Sequence, residues 1–104
     1  MNENKFLSML GLCRRAGGTI IGTPLVTKAL PRGQVKVVFY SSLASDNTKK
    51  RITDKCSYYN TKCIKIDTPP EFLGKMLGKE GVACVVGVTS DSFSKQLIIL
   101  AENE

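Results

Sequence analysis

The spacing of apolar side chains makes the chain alternate between helical and strand-like segments from end to end. Glu3 to Ala16 places Phe6, Leu7, Leu10 and Cys13 at i, i+1, i+4 and i+7, the stripe of a helix packed on a core, and Gly17-Gly18 supplies its stop. Thr19-Ile20-Ile21 is a short β-prone run. After Gly22, Thr23 can cap a second helix with Pro24 at its first position, and Leu25, Val26, Ala29 and Leu30 then face a core. Pro31 should end or distort that helix, because proline lacks the amide and disfavours α geometry at Leu30.

Val35 to Tyr40 reads as a strand, and the segment from Asn47 to Tyr59 as a helix with Ile52, Cys56 and Tyr59 on one face. Cys63 to Asp67 is a short strand. Thr68-Pro69-Pro70-Glu71 has the form of a capping box, opening a helix that buries Phe72, Leu73, Met76 and Leu77 and that Gly78 can end. Val82 to Val88 is an unbroken apolar run, as in a strand covered on both faces. Asp91 then caps a last helix carrying Phe93, Leu97, Ile98 and Leu100. The order α-β-α-β-α-β-α-β-α implies an α/β fold, a sheet with helices on both faces.

Composition adds scale. A chain of 104 residues, 42% hydrophobic and 23% charged, is expected to form one globular domain over 1–104. The apolar run 82–88 is far shorter than the ~20 residues of a membrane helix. Arg14-Arg15 closes the apolar stretch Phe6–Cys13 where a signal peptide would need small cleavage-site residues. Cys13, Cys56, Cys63 and Cys84 form no C-x-x-C pair and have apolar neighbours, so they read as buried thiols in a reducing compartment. A cytoplasmic protein is expected.

Charge changes the picture more. The formal net charge is +6, and residues 4–45 carry Lys5, Arg14, Arg15, Lys28, Arg32 and Lys36 with no acidic residue. In the remainder, nine basic and nine acidic side chains cancel. Such asymmetry suggests a polyanionic partner, nucleic acid being the commonest, although basic surfaces also serve solubility. Lys49-Lys50-Arg51 at a helix start opposes the helix dipole; a solvated face explains it more simply than a phosphate site.

Catalytic chemistry is hard to find. The absence of histidine removes Ser-His-Asp and Cys-His catalysis and any zinc site needing imidazole. Gly17-Gly18-Thr19-Ile20-Ile21-Gly22 matches neither common phosphate-loop pattern. Asp67 and Glu71 read as strand-end and capping residues, and Asp46 and Asp54 as partners for nearby lysines. Cys13 beside Arg14 lacks a base or a resolving cysteine. The expectation is a protein that is not an enzyme, with no cofactor and no metal.

The stretch Gly22-Thr23-Pro24-Leu25-Val26-Thr27-Lys28-Ala29-Leu30-Pro31-Arg32-Gly33 resembles the G-x-N-E-x-x-K-x-x-x-R-G signature of the ribosomal-protein L7Ae/L30e family. Leu73-Gly74-Lys75-Met76-Leu77-Gly78-Lys79-Glu80 resembles the family's L-G-x-x-x-G segment and the loop after it. Leu10 to Gly17 and Asn47 to Asn60 look closer still to a bacterial subgroup of the YlxQ type, regarded as RNA-binding or ribosome-associated.

The resemblance implies a three-layer α/β/α sandwich on a four-stranded mixed sheet, binding structured, kink-turn-like or ribosomal RNA, alone or within a ribonucleoprotein. By position, the RNA-reading elements fall on Gly22, Thr23, Pro24, Leu25 and Lys28, on Arg32, and on the loop Gly78, Lys79, Glu80, Gly81 and Val82. A strand-to-helix junction offers backbone N–H groups to a phosphate, Lys28 reaches the same backbone, and glycines let a loop approach closely. Two departures matter. Pro24 and Leu25 stand where the family has an Asn-Glu pair that reads guanine edges, and neither side chain can donate or accept a hydrogen bond. Pro31 threatens the i, i+4 alignment of Lys28 with Arg32. The alternative is a protein-interaction adaptor that keeps the fold without specific RNA recognition.

Overall fold

A computed structural model of the chain describes residues 3–102. The elements are α1 (Glu3–Arg15), β1 (Thr19–Ile21), α2 (Thr23–Ala29), a 3-10 turn (Leu30–Arg32), β2 (Val37–Ser41), α3 (Asp46–Tyr58), β3 (Lys62–Ile66), α4 (Pro70–Met76), β4 (Val85–Val88) and α5 (Asp91–Glu102). The sheet order is β1-β4-β2-β3. β4 pairs antiparallel with β1 (Ile20 opposite Gly87) and with β2 (Phe39 opposite Val86), whereas β2 and β3 are parallel (Phe39 opposite Ile64) and joined through α3. The sheet is therefore mixed and four-stranded, as expected.

Alternation along the strands divides the core in two. Val37 and Phe39 of β2 and Val86 and Val88 of β4 face α1, α4 and α5, whose Phe6, Leu10, Leu73, Leu77 and Leu97 complete the larger cluster. Val38 and Val85 face the other way, against Val26, Ala29 and Leu30 of α2 and its 3-10 turn and Ile52 and Cys56 of α3. Phe6 meets Phe39 edge to face with ring centroids 4.9 Å apart. β4, whose four residues are all buried, is the central strand that the apolar run promised. At Gly87 a Cβ would lie 3.2 Å from Val35 Cγ1 and 3.4 Å from Val26 Cγ2, so its absence lets α2 press onto the sheet.

Several local expectations change. The cap of α2 is Gly22 (φ 99°) and not Thr23, which lies inside the helix; no side chain caps it. The capping box at Thr68 does not form. Pro69 is the N-cap of α4, while buried Thr68 accepts a 2.7 Å bond from Ser41 Oγ at its carbonyl and donates its hydroxyl to Glu3 Oε2 at 3.4 Å. Two successive prolines hold the chain extended there, and the threonine joins the β2 end to α1. Ser90 caps α5 in place of Asp91, its Oγ accepting from the Phe93 amide at 3.3 Å. Val82 is exposed and precedes β4, because Ala83 N–H bonds Pro70 O at 3.0 Å and draws the chain toward α4 before it enters the sheet. Phe72 is 44% exposed and Tyr59 meets Tyr58 edge to face at the surface (centroids 4.8 Å) rather than entering the core.

The stops fare better. α1 ends with Gly17 N–H bonded to Arg14 O and Gly18 N–H to Cys13 O. α4 ends the same way, with Gly78 N–H to Lys75 O and Lys79 N–H to Gly74 O. Both are Schellman caps around a glycine at positive φ (79° at Gly17, 67° at Gly78).

Candidate nucleic-acid interface

The junction of β1 with α2 is built on Gly22. Its amide bonds Val85 O at 2.9 Å, extending the β1–β4 ladder, while its carbonyl accepts from the Val26 amide at 3.0 Å and starts the helix. The φ of 99° that joins these roles is one that glycine alone adopts without strain. α2 has only seven residues, so its dipole is weaker than that of a long helix, and side chains must supply most of the charge here.

Those side chains are Lys28 and Arg32, both exposed. Pro31 does not separate them. Leu30 keeps α geometry (φ −55°, ψ −48°) before the proline, the chain tightens into the 3-10 turn Leu30–Arg32, and Gly33 caps it at φ 71°. Lys28 and Arg32 consequently line one shallow hollow of about 260 Å³ with Ile20, Leu25, Ala29 and Gln34.

The second element comes from the opposite layer. After its Schellman cap, the loop Gly78–Val82 folds back over α4 so closely that a Cβ at Gly74 would lie 2.6 Å from Gly81 O. This fold-back brings Lys79 to the junction: a Cβ at Gly22 would lie 3.7 Å from Lys79 Nζ. Gly22, Thr23 and Lys79 therefore share one surface although they are far apart in sequence. Pro24 and Leu25 occupy the exposed first turn of α2, Leu25 with 59% of its surface free, and Glu80, Gly81 and Val82 are exposed on the loop.

One neighbour of this surface comes from α1. A Cβ at Gly78 would lie 2.8 Å from Arg14 Cζ, so the guanidinium at the end of α1 lies against the start of the loop. In the sequence, Arg14 is legible as a helix-ending cation of the basic N-terminal set; nothing there announces its contact with α4.

The other candidates resolve as structural. Lys49 Nζ donates to Ser42 O at 3.2 Å and pairs with Asp46 at 3.6 Å, and Lys50 pairs with Asp54 at 2.9 Å. Cys13 is fully buried and burial pushes its thiol up, the opposite of an activated nucleophile. Cys63 hydrogen-bonds Cys56 beneath α3, and that bond together with burial raises the Cys63 thiol. Among the described residues no group of three or more Cys, Asp or Glu side chains is placed to hold a metal, and no helix is long and apolar enough to cross a membrane.

A mixed four-stranded sheet between two helical layers, with a glycine junction facing a glycine-bounded loop that carries Lys79, defines a class of protein. Residues 4–98 match the model of the Ribosomal protein L7Ae/L30e/S12e/Gadd45 family, and the chain belongs to that family. It is 36% identical over 102 residues to the RNA-binding protein YlxQ of Bacillus subtilis (strain 168), covering 98% of this chain and 100% of that protein. It is 35% identical over 101 residues to the RNA-binding protein YlxQ of Enterococcus faecium, covering 97% and 95%. A solved structure of a protein with unknown function from Bacillus halodurans C superposes with a TM-score of 0.88 at 37% identity, covering 95% of this chain and 98% of that one. The 15.5kD RNA binding protein of Giardia lamblia shares the fold at a TM-score of 0.78 and 14% identity, covering 95% and 83%.

Proposed function

We propose that the protein is a non-enzymatic RNA-binding protein of the cytoplasm that holds structured RNA, ribosomal or kink-turn-like, at the β1–α2 junction and the loop before β4. The observation that carries this reading is the meeting of Gly22 with Lys79, which joins the two segments that resemble the family's RNA-reading elements into one surface. Its relatives at about 35% identity over nearly the whole chain are named RNA-binding proteins. Lys28, Arg32 and Lys79 supply the phosphate attraction, and the glycine backbone at Gly22, Gly78 and Gly81 lets the RNA approach closely.

Pro24 and Leu25 leave no polar side chain at the first turn of α2, so affinity on this reading comes from the RNA backbone and shape rather than from base edges. The test is binding to a kink-turn RNA and to a plain duplex over a salt series. Binding to either, weakening steeply as salt rises, is expected; no detectable binding at low salt would end the proposal.

The exposure of Leu25 favours one second reading, an adaptor that presents this apolar turn to a protein or ribonucleoprotein component. Co-purification before and after nuclease treatment separates the two, since an adaptor keeps its partner when RNA is destroyed.

A further inference from the structure

We propose that the groove between the last turn of α1 and the end of α4 is a second phosphate-binding element, which holds the backbone of the same RNA beyond the junction. This rests on the RNA-binding reading above and extends it to a surface that the family's signature segments do not include as a unit.

The groove has a volume of about 410 Å³ and gathers Arg14, Arg15 and Lys75 around Gly11, Ser8 and Met76. No carboxylate lines it. The ion pairs among the described residues are Lys49–Asp46, Lys50–Asp54, Lys62–Glu102 and Lys95–Asp91, so all three groove cations are left without one. Glu71, one turn before Lys75 on α4, is in none of these pairs.

Helix ends alone do not account for this charge. Two helix C-termini present about half a negative charge each, which three full cations exceed by about two. Such a surplus can neutralise the phosphates of a polyanion and release the cations condensed on them, which favours binding entropically. The guanidinium fork of Arg14 and Arg15 also suits two phosphate oxygens at once.

Continuity decides the partner. Arg14 lies against Gly78, Gly78 adjoins Lys79, and Lys79 reaches Gly22. The cations thus run from the α2 junction over the loop, where exposed Glu80 follows Lys79, into the groove. An RNA seated at the junction meets the groove next; an acidic protein would need no such connection.

The experiment compares wild type with Arg15→Ala/Lys75→Ala, both exposed, Lys75 bonding Gly78 through a backbone carbonyl that alanine keeps, and with Arg14→Ala. The probes are a kink-turn RNA with a long flanking stem, the same RNA with the stem truncated, and a plain duplex. The double variant is expected to keep the wild-type urea midpoint, to lose several-fold affinity for the long RNA at physiological salt, and to shallow the log-log salt slope by about 1–2. The truncated RNA is expected to bind both proteins equally. An unchanged slope and affinity in both groove variants, while Lys28→Ala/Arg32→Ala still weakens binding, overturns the groove and leaves the junction standing. Equal losses on long and truncated RNA also overturn it, since the groove would not lie beyond the junction. If Lys28→Ala/Arg32→Ala is silent as well, or wild type binds no RNA, the RNA-binding reading falls and takes the groove with it.

Discussion

The cations of α3 and those around α2 look alike in the sequence and differ in the fold. On α3, Lys49 and Lys50 have carboxylates one turn away, and Lys49 also caps the Ser42 carbonyl. Around α2, the segment 4–45 contains no acidic residue, so Lys28 and Arg32 find no partner along their own helix. The fold then adds Lys79 from the opposite layer instead of a carboxylate. A dense run of charge with acids at helical spacing is partly neutralised within its own helix. A sparse set without them keeps its field, and that field is what attracts a polyanion.

The contrast can be broken most directly by removing the unpaired set. Lys28→Ala/Arg32→Ala/Lys79→Ala is expected to shallow the salt dependence of RNA binding by about 2–3 in log-log slope and to cost one to several orders of magnitude in affinity, with roughly equal losses for all sequences. A salt titration by fluorescence anisotropy reads both, and an unaltered slope would place the RNA elsewhere. Next comes the loop that delivers Lys79. Gly74→Ala sets a Cβ at 2.6 Å from Gly81 O, a backbone atom that cannot swing aside. A loss of about 1–3 kcal/mol in urea denaturation and a partial loss of RNA affinity are expected.

The paired set supplies the control. Lys49→Ala/Lys50→Ala should change the salt slope by less than about 1, because these cations already face carboxylates. A change as large as that of the α2 set would remove the distinction between the two regions. The smallest effect belongs to Asp54→Ala. Its ion pair with Lys50 is exposed on both sides, so about 0.3–0.5 kcal/mol of stability is expected to go, and less in high salt.

Legibility followed the range of the interactions. The stripes of α1 and α3, the buried β4 and the glycine stops at Gly17 and Gly78 were readable because periodicity and positive φ act over a few residues. Caps were less readable. Thr68 has the right spacing to Glu71, yet its hydroxyl and carbonyl are engaged by Glu3 and Ser41 from other parts of the fold. Pro31 shows the converse, a local rule softened by context, since a 3-10 turn accommodates the proline and keeps Arg32 beside Lys28. At the candidate site, the junction and the loop were legible as separate segments through resemblance. Arg14 was legible as a cation near the junction but not as a neighbour of the loop, because its contact with Gly78 joins two helices from distant parts of the chain.

The sequence by itself determined the alternation of helices and strands, the absence of histidine chemistry and the concentration of excess charge before residue 46. These depend on residue identity and short-range spacing. Only the tertiary structure decided which cations stay unpaired and which meet. That outcome depends on β4 inserting between β1 and β2 and on the loop folding back over Gly74, and through-space distances of this kind are set by packing rather than by neighbours in the chain.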